Sequence, residues 1–167
     1  MEQNQQQDLI ARISVFLRGI GLAVEPASLA MATVLPAIWV EGGRLYFDPA
    51  RLRFPGDLLH EAGHLAVAPA AERQALTGDI DRGPGEEMMA IAWSWAALVH
   101  LQLAPESVFH AEGYKGGSQA IIENFSAGRF FGVPLLQWAG MTLEPKQAQA
   151  AGAGAPPFPA MLKWLRD

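Results

Sequence analysis

Asp57-Leu-Leu-His60-Glu61-Ala62-Gly63-His64-Leu-Ala-Val67 sets two histidines four residues apart, with a glutamate directly after the first. At 3.6 residues per turn, positions i and i+4 of a helix share a face one turn apart, so both imidazoles can reach one ion. A helix is the expected state here. Pro55 suits the first helical position, the run after it is largely apolar, and Pro69 marks where it must stop. Gly63 inside such a helix costs about 0.8 to 1.0 kcal/mol relative to alanine, which a close approach by another element would explain. With 4 His and 11 Glu in 167 residues, chance gives this pentad roughly 0.6% of the time, so coincidence is the weaker explanation.

Zinc suits two neutral imidazoles, and with three protein ligands it keeps an open position for water. Glu61 then stands beside that water as the candidate general base for attack on a carbonyl. The third ligand must come from His100, His110 or an acidic residue after His64, and Glu86 and Glu87 are the best placed. They open the apolar stretch Met88 to Val99, which predicts a buried helix from near Glu86 to near His100 or Leu103. A carboxylate at the entry to a buried helix needs a partner. Glu87 is assigned to the metal, and Glu86 to the helix dipole.

Working outward, Ile38-Trp-Val40 and Leu45-Tyr-Phe47 flank Glu41-Gly-Gly-Arg44, which predicts a tight hairpin just before the histidine helix. Asp8 to Leu22 shows helical spacing of Leu9, Ile13, Phe16, Leu17 and Ile20. Thr77 to Gly85 reads as a polar loop. Ser118 is expected to cap a helix from Gln119 to about Ala127, ended by Gly128. The Phe130–Leu136 run and Trp138 are expected to add core, Gln147 to Pro159 reads as a surface loop, and Ala160 to Arg166 as a short terminal helix. No repeat is present. The expected class is α+β, mostly helical, in one domain over residues 1–167.

Composition narrows the partners. Half of the residues are hydrophobic, 17% are charged and mean hydropathy is +0.12, the profile of a packed globular chain. A net charge of −5 argues against direct binding of nucleic acid. The chain has no cysteine, which excludes disulfides, thiolate-bound metal and thiol nucleophiles. The polar start Met1 to Asp8 carries no secretory signal, and Met88 to Val99 is too short to span a bilayer, so a cytoplasmic protein without membrane contact is expected.

HExxH followed by a glutamate on the next helix resembles the gluzincin metallopeptidases, and more closely the compact ImmA/IrrE-like zincins. Glu87-Met-Met-Ala90-Ile-Ala-Trp93-Ser94 is similar to that family's second motif, and the likeness runs from about Ile38 through Leu98. The resemblance implies a minimal zincin-like fold with a small sheet before the HExxH helix. It also implies His60, His64 and Glu87 as zinc ligands, Glu61 as base, and a peptide or protein substrate. Beyond it, His110, Tyr114 and Arg129 are the candidates to stabilise an oxyanion, while His100 suits a structural place at a helix C-terminus. Gly113 to Ser118 lacks the spacing of a phosphate loop. Two other classes share the motif: a zinc-binding interaction module without catalysis, and a hydrolase of non-peptide amides.

Overall fold

In the computed structural model, which describes residues 2–152 and 154–167, α1 (Glu2–Gly19) leads into β1 (Val24–Pro26), β2 (Ile38–Glu41) and β3 (Arg44–Phe47). Then come α2 (Asp57–Val67), α3 (Ala70–Arg73), α4 (Pro84–His100), α5 (Ser118–Ser126), α6 (Val133–Trp138) and α7 (Pro145–Ala151). Met1, of the polar start, and Ala153, within the predicted 147–159 loop, lie outside the described residues. The class is α+β.

Gly42 and Gly43 both adopt left-handed backbone, at φ 58° and 71°, as a two-residue turn between twisted strands demands. The hairpin forms where the sequence places it, with Ile38 opposite Phe47 and Val40 opposite Leu45, all four buried. A third strand joins it. β1 pairs parallel to β3 and makes β3 the centre of the sheet. Three residues give no periodicity to read, so this strand is invisible in local pattern. α1 contacts β1 and α2, and α2 contacts β3, which sets the histidine helix directly behind the hairpin.

α4 is apolar nearly all round, from Met89 to Leu98 without an exposed residue, as expected of a helix buried on every side. Its partner is α2, and at Gly63 the two helices pack closely. A Cβ built at Gly63 would lie 2.9 Å from the Ala90 carbonyl oxygen and 3.3 Å from both Ala90 Cα and Ser94 Oγ. Backbone cannot yield as a flexible side chain can. Gly63→Ala therefore gains helix propensity of about 1 kcal/mol and loses more to overpacking. For Gly63→Val the expected cost is about 3 kcal/mol, which lowers Tm by about 6 to 12 °C in a chain of this size. Calorimetry checks it; an unchanged Tm would mean that the helices are not in contact at Gly63.

Several local expectations are corrected. α1 starts at Glu2 rather than Asp8: its first turns are Gln-rich, good helix formers but polar, so no apolar stripe marks them. Ser118 does not cap α5. Its hydroxyl donates to the His110 and Gly113 carbonyls at 2.6 and 3.3 Å. Trp138 is 75% exposed rather than core, with the Arg166 guanidinium 5.0 Å over its ring. Residues 147–151 of the expected Gln147–Pro159 loop belong instead to α7, opened by Pro145 at the first helical position and extended by Gln and Ala. The terminal helix is absent. Residues 160–166 are irregular, bridged by Met161 to Thr142, because their backbone is spent elsewhere: Trp93 Nε1 donates to the Trp164 carbonyl at 2.9 Å, and Arg166 N–H to the Ala66 carbonyl at 2.9 Å. Among the described residues no helix is long and apolar enough to cross a membrane.

Candidate metal centre

Three donors converge where α2 meets the first turns of α4. His64 Nε2 lies 3.3 Å from His60 Nε2 and 3.0 Å from Glu87 Oε2, and His60 Nε2 lies 3.7 Å from Glu87 Oε1. One ligand atom from each residue fits within 4.8 Å of the others. Two donors each about 2.05 Å from an ion at the tetrahedral angle stand roughly 3.3 Å apart. The observed separations, taken to one or the other Glu87 oxygen, lie on either side of that value, so the trio is close to the spacing a small tetrahedral cation needs.

Protonation favours the same reading. Burial, helped by the charge of His64, pushes His60 down to about 4, so its imidazole is neutral and its lone pair is available. The hydrogen bond from His64 holds Glu87 below the ordinary glutamate range, as an anion. Burial pulls the pKa of His64 down, but its hydrogen bond to Glu87 and the nearby Glu61, Glu87 and Glu86 charges outweigh this and raise it. A divalent cation would take over that role from the proton. Nδ1 of both rings is buried without a hydrogen-bond partner among the described residues. Their orientation rests on the helix and on ring contacts: His60 meets His64 edge-on at 4.8 Å and Tyr114 at 5.0 Å.

The trio opens into a cavity of about 940 Å³. Glu61 lines it, and burial, partly opposed by the charge of His64, raises its carboxyl to about 7. His110 and Tyr114 line it too, because Ser118 ties the loop between them closed. His110 is stacked on Phe54 at 3.7 Å between centroids and its Nε2 lies 2.9 Å from Asp57 Oδ1. That pairing occupies Nε2, which leaves Glu87 as the residue that joins the two histidines. Tyr114 is packed between His60 and Phe109, its hydroxyl buried without a partner among the described residues. Burial, then the Asp57 and Glu87 charges, drive its pKa well up, so the phenol stays protonated.

Arg129 does not join the cavity. It donates to Asn124 Oδ1 at 2.9 Å beyond α5, which corrects its candidacy for oxyanion binding. His100 sits at the far end of α4, 5.3 Å from the rings of Phe16 and Trp164. Glu86 is not among the converging donors and pairs with Arg82 at 2.7 Å. Asp57 is the residue that sequence reasoning passed over, since an acid in a helix's first turn looks like dipole compensation. Only the fold brings His110 to it.

Glu87→Ala should weaken zinc binding by roughly 100-fold or more, the scale of one lost ligand, while Glu86→Ala should change it by less than a few-fold. A chelator competition titration separates them, and equal effects would displace Glu87 from the centre. No family model matches this chain, and no curated protein or solved structure matches it.

Proposed function

We propose that this chain is a zinc-dependent metallopeptidase. The observation that carries the reading is the convergence of His60, His64 and Glu87, at separations suited to one tetrahedral ion, on the wall of a cavity that Glu61 also lines. When bound there, zinc supplies Lewis-acid polarisation of a carbonyl and lowers the pKa of a water. Glu61, one residue along α2 from His60, accepts the proton of the attacking water and returns it to the leaving amine. The carboxylate needs to be near the open face of the centre but off the ligand set, and the i+1 position supplies that offset.

His110 and Tyr114 are the polar groups that the 110–118 loop adds to the same wall. His110 Nε2 pairs with Asp57 Oδ1 at 2.9 Å, which together with the Phe54 stack fixes the ring on the cavity wall. A cavity of this size accommodates several peptide residues, and the apolar Leu35, Ile80, Ile91 and Ile121 are among its lining residues.

The test begins with metal. The purified protein should carry about one zinc per chain by elemental analysis, as a three-ligand site of two imidazoles and an anionic glutamate implies. Incubated with a diverse peptide library, it should cleave a subset, stop on chelation and resume on adding zinc. Protein that never takes up stoichiometric zinc, or whose cleavage is indifferent to chelation, ends this reading.

A further inference from the structure

Three cations line the cavity, and two are already paired. Arg53 reaches both Glu112 oxygens at 3.1 and 3.2 Å, and Arg82 is held by Glu86 and Glu72. Lys115 is the third, and it has no carboxylate or hydrogen-bond partner among the described residues. Directly before it stands Tyr114, whose buried hydroxyl also lacks a partner. A phenol O–H desolvated without an acceptor is unfavourable. Both residues take left-handed backbone, at φ 54° and 52°, an unusual choice for side chains with a Cβ. The loop thus brings to one cavity wall a buried phenol donor without an acceptor and an exposed cation without an ion pair.

We infer that Tyr114 and Lys115 form a carboxylate-recognition subsite beside the metal centre, so that the preferred ligand bears a carboxylate next to the bond presented to Glu61. One carboxylate satisfies both groups, because its two oxygens can accept from the phenol and the ammonium together. Asp79 and Asp81 line the cavity as well but form no ion pair with Lys115, and Glu87, the carboxylate close enough to feel the Lys115 charge, is the one assigned to the metal. With Glu87 committed to a divalent cation, the centre itself is net positive and adds to the pull on an anion. The placing of that carboxylate next to a bond presented to Glu61 rests on the metallopeptidase reading, and its binding does not.

The carboxylate can be a peptide's C-terminus or an Asp or Glu side chain, and the test separates the two. Zinc-loaded protein is titrated calorimetrically with matched peptide sets: free acid against C-terminal amide, and internal Glu against Gln. In at least one set the acid form should bind about tenfold or more tightly, the scale of a charge-assisted hydrogen bond. In Lys115→Met and in Tyr114→Phe the ratio between acid and neutral forms should fall towards one. Met at 115 keeps the stem and the backbone constraint, and retained zinc checks that each variant is folded. No preference in either set, or a preference that survives Lys115→Met, overturns the inference. A preference that behaves as expected in a protein that hydrolyses nothing would instead remove the peptidase reading and leave the subsite standing.

Discussion

His64→Ala is expected to leave purification with less than about a tenth of the zinc carried by the parent chain, and His60→Ala to behave alike. A four-ligand structural site is worth about 10 to 16 kcal/mol, so one ligand contributes roughly 3 to 4 kcal/mol, or about 10²- to 10³-fold in affinity. Neither remaining pair can make up the loss. Without His64 the contact left is His60 to Glu87 at 3.7 Å, and without His60 it is His64 to Glu87 at 3.0 Å. Both rings lie in the interior of the α2 and α4 contact, so truncation also opens a small void. Glu87→Gln guards against confusing that void with metal loss, since Glu87 is 44% exposed at its side chain and its amide leaves the fold untouched. Circular dichroism should be unchanged in Glu87→Gln while zinc affinity falls. Stoichiometric zinc retained by the double variant lacking both histidines would remove the centre altogether.

The part of this molecule that sequence made legible is the part whose signals are local. The i, i+4 histidines, Pro55 near a helix start and paired glycines between β-prone runs each act through their immediate neighbours; the hairpin lies where those signals put it, and α2 begins at Asp57, two residues after the expected Pro55. The same is true of α4, read from an unbroken apolar stretch. What escaped depends on distant partners. β1 exists only because β3 is there to pair with it. The tail from Ala160 has helical composition, yet its Trp164 and Arg166 backbone groups bond to Trp93 on α4 and to Ala66 and Arg73 around the end of α2. Tertiary bonds of that kind override propensity and leave no trace in a window of neighbours. The site divides along the same line. Two histidines and a glutamate were readable from spacing, and the choice of Glu87 over Glu86 from the entry to a buried helix. The Asp57–His110 contact and the unpartnered pair at Tyr114 and Lys115 arise from how the 110–118 loop folds against α2, which no spacing encodes.

Glu61→Gln should keep the fold and the zinc and lose roughly 10²- to 10⁴-fold in turnover, the range a positioned general base contributes. The carboxamide is nearly the same size as the carboxylic acid, so nothing in the α2 contact has to move. Stability should hold or rise slightly, because burial already disfavours the ionised carboxyl, whose pKa is raised to about 7. The sign follows from linkage: a carboxyl titrating higher when folded than when unfolded costs stability above its ordinary pKa, and glutamine removes that cost. Zinc should be retained because Glu61 is not among the three converging donors. What the amide cannot do is accept a proton from water at neutral pH, so the chemical step alone is struck. Peptides cut by the parent chain should still bind the variant with similar Kd, and kcat should carry nearly all of the loss. If parent and variant cleave alike with zinc full in both, Glu61 is not the base. If neither cleaves any peptide across a broad library while both bind zinc and a protein partner, the chain is an interaction module built on a metal centre, and the cavity serves recognition rather than turnover.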